Sequence, residues 1–230
     1  MPELDFDPAD IDAAVFDYGG VLIAGGPREV VAFGLKCGLT EEVWKPLRRR
    51  IFGNNGRWAE LERGQVSYQT FVEELRQEVQ NAGGNVDAAT AAAFMGDPEP
   101  MAQKMRLRSD IVDLVARIRR RMPTALLTNN IVEWRQDWQG LLDIPALFDV
   151  VIDSSAVGAR KPEPRIYEIT AERLGVAHSK IFFVDDIGQN LKAARALGWK
   201  TLLFTEPEEV VPVLTALAGG DDRRRPSHPR

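Results

Sequence analysis

The chain has 230 residues, 44% of them hydrophobic and 27% charged, enough to bury a full core and to carry a smaller second module. A net charge of −5 with scattered arginines gives no footprint for nucleic acid, and no apolar run approaches the roughly 18 residues that span a bilayer. Cys37 is the only cysteine, which excludes an internal disulfide; two histidines, His178 and His228, disfavour a Ser-His-Asp triad or a His-rich zinc site; and the lack of a basic, then apolar leader points to the cytoplasm.

The first apolar run, Ala13–Phe16, has strand length and ends at Asp17. From about residue 27 to 100 the pattern is helical, over 28–36, Glu41–Phe52, Tyr68–Asn81 and 86–95, with turns at 53–56 and 83–85 and a linker at 96–100. This predicts a helical insertion. Trp44 and Trp58 within it suit either a substrate entrance or a homodimer contact. Strand runs return at 124–127, 150–152, 181–184 and 201–204. Between them lie helical segments at 109–121 behind a Ser109 cap, at Pro164–Leu174 stopped by Gly175, and at 188–197 before Gly198. Trp134, Trp138 and Leu141 repeat at the spacing of a packed helix face. The alternation predicts an α/β fold with a parallel sheet covered by helices. The expected organisation is a core of 1–26 and 101–217, an inserted unit of 27–100 and a disordered tail of 218–230.

In an open parallel sheet, ligands bind beyond the carboxyl ends of the strands, and four polar clusters fall there. They are Asp17-Tyr18-Gly19-Gly20-Val21-Leu22, Thr128-Asn129-Asn130, Ala159-Arg160-Lys161-Pro162-Glu163-Pro164 and Asp185-Asp186-Ile187-Gly188-Gln189-Asn190. Singly, each reads as a turn or a helix cap. Together they supply the parts of phosphoryl transfer. Asp17 is the candidate nucleophile, able to form an aspartyl-phosphate. Asp185 and Asp186 would join it around Mg²⁺, because carboxylates facing a dianionic phosphate need a hard cation between them. Thr128 and Asn129 can hydrogen-bond phosphoryl oxygens, and Lys161 offers a compact positive charge to those oxygens and to the nucleophile.

These clusters resemble the four motifs of the haloacid dehalogenase superfamily, mostly Mg²⁺-dependent phosphatases of small phosphorylated metabolites. The strings from Arg160 to Tyr167 and from Val184 to Gly198 are similar to the branch that holds the N-terminal phosphatase domain of soluble epoxide hydrolases and small sugar-phosphate phosphatases. The resemblance implies a Rossmann-like core with an inserted, C1-type helical cap, and a cap turn over 58–67 that reaches toward substrate. It also implies catalytic roles for Asp17, Thr128 and Lys161, and a metal held by Asp17, the Gly19 backbone carbonyl, Asp185 and Asp186.

The family usually has a second aspartate, the general acid and base, where this chain has Gly19. Some relatives in this branch also carry glycine there. General acid–base help is typically worth about 10²–10⁴-fold, so a slower enzyme that favours good leaving groups is expected. Glu60 or Glu62 of the cap could stand in, although solvation of a helix surface is the role expected for both. Two rival functions use the same site. One is a 2-haloacid dehalogenase, whose relatives also lack that aspartate but need no metal. The other is a catalytically weak domain that binds a phosphometabolite or a protein. Phosphonate hydrolysis would need a cap lysine, and Lys36 and Lys45 both lie outside the cap turn.

Overall fold

The computed structural model describes residues 6–24, 29–87, 106–135 and 141–219. Five parallel strands form the central sheet in the order β5-β4-β1-β6-β7, where β1 is Ala13–Phe16, β4 Thr124–Thr128, β5 Val150–Asp153, β6 Ile181–Asp185 and β7 Lys200–Leu203. All four residues of β1 are buried, as a central strand covered on both faces requires. Its side chains alternate between two apolar layers, Ala14 and Phe16 entering one and Val15 the other.

The first layer is closed by Ile111, Leu114, Val115 and Ile118 of a helix over Ser109–Arg119 and by Val210, Val213, Leu214 and Leu217 of a helix over Pro207–Leu217. The second is closed by helices over Pro164–Leu174 and Gly188–Ala196. The result is a three-layer α/β/α sandwich. The Ser109–Arg119 helix takes Ser109 as its first residue, not its cap; the preceding Arg108 makes no side-chain cap bond and turns its guanidinium to the Gly20 carbonyl at 3.3 Å. Two short helices, Ile144–Leu147 and Ser154–Val157, flank β5.

The helical insertion leaves the sheet through a small antiparallel hairpin. Here β2 (Ile23–Ala24) pairs with β3 (Arg106–Leu107) in the register Ile23 to Leu107 and Ala24 to Arg106. Between them stand α1 (Glu29–Lys36), α2 (Glu41–Phe52), α3 (Arg57–Glu62) and α4 (Tyr68–Asn81), with Ser67 capping α4 through a bond from the Thr70 N–H at 3.1 Å. These helices bury their own apolar cluster of Phe33, Leu47, Ile51, Leu61, Phe71, Leu75 and Val79. Trp44 is completely buried in that cluster, packed on Phe33 and Phe52, so it lines neither an entrance nor a dimer contact. Val86 and Asp87, expected to open a fourth long helix, are not helical; residues 88–95, the 96–100 linker, Trp138 and most of the tail lie outside the described residues. Among the described residues, no helix is long and apolar enough to cross a membrane.

Candidate active site

The polar clusters meet at the carboxyl edge of the sheet because parallel strands all end on that side. Asp17 directly follows β1, Thr128 is the last residue of β4, and Asp185 is the last of β6. Asp17 is fixed through its backbone, which donates to the Val184 carbonyl at 3.0 Å. Its Oδ1 accepts the Tyr18 N–H at 2.7 Å and stands 2.7 Å from Lys161 Nζ. The same ammonium donates to Asp185 Oδ2 at 2.8 Å, and Lys161 as a whole is only 1% exposed. A lysine so deeply buried must be charge-paired, and here two carboxylates share it.

Lys161 is held in place by its backbone. Its N–H donates to Asn129 Oδ1 at 2.8 Å, and Asn129 Nδ2 donates to its carbonyl at 3.0 Å. The Asn129 carboxamide, expected on phosphoryl oxygens, is therefore committed to the lysine loop. The Thr128 hydroxyl reaches the Asn129 carbonyl only at 3.4 Å, a weak bond that a ligand can displace. Beyond it, Asn130 donates to Asp153 Oδ2 at 3.2 Å, and Asp153 also takes Arg135 Nε at 3.0 Å and Ser155 Oγ at 2.6 Å. This network fixes the loop that follows Thr128.

Carboxylate oxygens of Asp17, Asp185 and Asp186 lie within 4.8 Å of one another. Among the described residues, one ammonium bridges Asp17 and Asp185 and the Arg108 guanidinium also acts on Asp186, so carboxylates outnumber the cations around them. Burial pushes the Asp17 carboxyl well above the usual range; Lys161 opposes this, while Asp185 and Asp186 add to it. Burial likewise raises Asp186, with Asp185 beside it adding to the rise. Burial works to lower the Lys161 ammonium, yet Asp17 and Asp185 together hold it above its ordinary value. A hard divalent cation with oxygen ligands matches both the donor type and the charge deficit.

The two aspartates of the Asp185-Asp186 pair do different work. Asp185 is fully buried and also accepts the Ile187 N–H at 2.7 Å and Asn190 Nδ2 at 3.0 Å. Asp186 is exposed at the mouth, beneath the turn of Gly20. Gly20 has φ +77°, and a Cβ there would collide with the Asp186 carboxylate, so only glycine lets the turn close over it. At Gly19 a Cβ would meet nothing within 4 Å. A Cβ at this position would therefore enter open space.

The inserted helices pack against the loop that follows β4. Trp58 lies 6.0 Å from Trp134, and the Tyr68 N–H donates to Glu133 Oε1 at 2.8 Å. Glu60 is a half-exposed surface carboxylate on Arg57, as expected. Glu62 is not: it is buried in an ion pair with Arg160, the neighbour of Lys161. Sequence reading also assigned no role to Asn190, although an amide in the first turn of a helix behind two aspartates is a signal for a carboxylate clamp.

The sequence matches the haloacid dehalogenase-like hydrolase family over residues 11–198. It is 25% identical to bifunctional epoxide hydrolase 2 of Sus scrofa over 94% of this chain and 40% of that protein. It is 26% identical to the sesquiterpene phosphatase astK of Aspergillus oryzae over 90% of this chain and 96% of that one. The chain spans 40% or less of the length of several curated relatives, the epoxide hydrolases included. A HAD family enzyme of Bacteroides thetaiotaomicron, solved with magnesium and inorganic phosphate, shares the fold with a TM-score of 0.59 at 22% identity, over 84% of this chain and 93% of that one. With the match running from the first strand past the Asp185-Asp186 pair, the chain belongs to the haloacid dehalogenase-like hydrolases.

Proposed function

We propose that the chain is a Mg²⁺-dependent phosphatase that hydrolyses small phosphate monoesters through an aspartyl-phosphate on Asp17. The observation that carries this reading is the buried Lys161 ammonium bridging Asp17 and Asp185, with Asp186 in the same carboxylate cluster. A cation and a dianion complete that charge pattern. The phosphatase among the relatives and the magnesium and phosphate held by the Bacteroides enzyme support it.

Both hydrogen bonds to Asp17 fall on Oδ1, which leaves Oδ2 as the attacking oxygen. Attack forms the bond from Oδ2 to phosphorus and breaks the bond to the leaving oxygen, which departs with the electron pair. Lys161 and the Thr128 hydroxyl take the charge that develops on the phosphoryl oxygens. Asn129 contributes by fixing Lys161. Asp17, the Gly19 carbonyl, Asp185 and Asp186 would hold Mg²⁺, which would supply charge neutralisation between the carboxylates and the phosphate. Water then attacks the phosphorus: its oxygen bonds to phosphorus as the bond to Oδ2 breaks, the electron pair returns to the Asp17 carboxylate, and a water proton passes through solvent to the departed oxygen, leaving inorganic phosphate and the alcohol. Gly19 offers no proton to the leaving oxygen, so substrates with less basic leaving groups, such as anomeric sugar phosphates and acyl phosphates, are favoured.

A screen of sugar, nucleotide, lipid and acyl phosphates, with and without Mg²⁺, tests this with wild type and Asp17→Asn side by side. Metal-dependent phosphate release by wild type alone is expected; equal release by Asp17→Asn sinks the reading. Gly19 also favours dehalogenation, for which chloride release from 2-chloro acids in EDTA is the signature. If no ester in the screen turns over while Mg²⁺ and phosphate still bind, a binding role takes its place.

A further inference from the structure

We propose that Glu62 of the cap and Arg160 of the core act as one positioning pair that holds the Lys161 loop in register with the carboxylate cluster. The proposal rests on the phosphatase reading for the role of Lys161, and on cap geometry for the rest. Arg160 Nε donates to Glu62 Oε2, and the two side chains are 10% and 11% exposed. A second pair crosses the same seam in the opposite sense, Arg63 Nη1 donating to Glu163 Oε1 at 2.6 Å. The Glu163 carboxylate turns back to accept the Arg160 backbone N–H at 3.2 Å. An acid then a base in the cap thus face a base then an acid in the core, bracketing Lys161 and Pro162.

The backbone makes this register tight. Gly64, at φ +67°, lies so close to the core that a Cβ there would stand 2.7 Å from the Ser155 carbonyl oxygen. From the other side Asn129 clasps the Lys161 backbone. The loop is therefore gripped by the core at Lys161 and by the cap at the residues on either side. Removing one partner of a buried ion pair strands the other charge, so an undocked cap leaves Arg160 uncompensated beside the catalytic lysine. Glu62 is not a free proton donor in this arrangement, since its carboxylate is committed to the guanidinium.

The test uses Glu62→Gln, Arg160→Gln and the double variant, with Glu78→Gln of the exposed Arg50–Glu78 pair as control. Two readouts are taken: hydrolysis of p-nitrophenyl phosphate with Mg²⁺, and amide exchange of the peptide containing residues 160–163. Each single variant should lower kcat by about 10–100-fold with little change in KM, the scale of a displaced catalytic group. The double should lose no more than the worse single, because the two residues act as a unit. Exchange in 160–163 should rise in both singles and stay unchanged in the control. Wild-type exchange in the singles overturns the proposal, as does a double loss equal to the product of the singles. A Glu62→Gln change that alters the pH profile or the leaving-group dependence also overturns it, in favour of a proton donor. If wild type releases no p-nitrophenol, the phosphatase reading fails for this ester, and exchange alone decides the pair.

Discussion

Asn129 grips the backbone of Lys161 from both sides, accepting its N–H at 2.8 Å and donating to its carbonyl at 3.0 Å. Two loops that follow different strands are thereby made into one rigid piece. Asn129→Ala leaves a backbone donor and acceptor unsatisfied, and should cost about 1–3 kcal/mol for each buried group stranded. Denaturant unfolding measures this. Steady-state kinetics should show kcat falling more than KM rises.

Lys161→Met leaves Asp17, Asp185 and Asp186 with no cation among them. Stability without metal should fall by about 3–5 kcal/mol, as for other broken buried ion pairs. Added Mg²⁺ should restore part of it, so the rise in melting temperature with Mg²⁺ should be larger in the variant than in wild type. Equal rises would mean that the metal does not meet these carboxylates.

Gly19→Asp starts its side chain into open space, since a Cβ there meets nothing within 4 Å. With an acid in that space, hydrolysis of alkyl phosphates should rise by about 10²–10⁴-fold, while p-nitrophenyl phosphate, a good leaving group, changes little. In wild type, rate should fall steeply as leaving-group pKa increases. A flat wild-type dependence would show that another acid already serves.

Gly20→Ala places a methyl group against the Asp186 carboxylate and forces a positive φ on alanine. Weaker Mg²⁺ binding by calorimetry is expected, with Gly19→Ala close to wild type. Reversal of that order would separate the Gly20 turn from the metal site.

Burial lifts the Glu62 carboxyl above the usual carboxylate range, with Arg160 opposing. Between the unfolded and folded values the folded chain binds more protons than the unfolded one. The stability this group contributes is therefore complete below about pH 4.3, the ordinary glutamate value, and is lost as pH rises through its folded value. Glu62→Gln removes the titration, so its stability should decline less than that of wild type over this window. Parallel curves would assign the slope to other groups.

Several elements could be read directly from sequence. Glu41–Phe52, Tyr68–Asn81 and Pro164–Leu174 fall on their predicted bounds because each is framed by residues that start or stop a helix, such as Ser67 and Gly175. Strands β4, β5 and β6 each run one residue past their apolar runs, through Thr128, Asp153 and Asp185, since backbone pairing continues where hydropathy ends. The β2–β3 hairpin escaped notice because its two-residue strands pair positions far apart in the chain. The placement of Asp17 and of the Asp185-Asp186 pair at the carboxyl edge was legible, for each stands at a strand end, whereas Lys161 comes there only after the short Ser154–Val157 helix that follows β5. Glu62 was not: flanked by Leu61 and Arg63 it reads as a surface residue, and its partner Arg160 is 98 positions away.

The polypeptide enters and leaves the insertion through Ala24 and Arg106, which sit opposite each other in a single register, so the two points of attachment lie side by side. Any module whose own ends meet at that spacing can be spliced between those two residues without moving Asp17 or the floor beneath it. An exchanged module would meet the sheet edge at the same seam, where Arg160 and Glu163 now pair with Glu62 and Arg63.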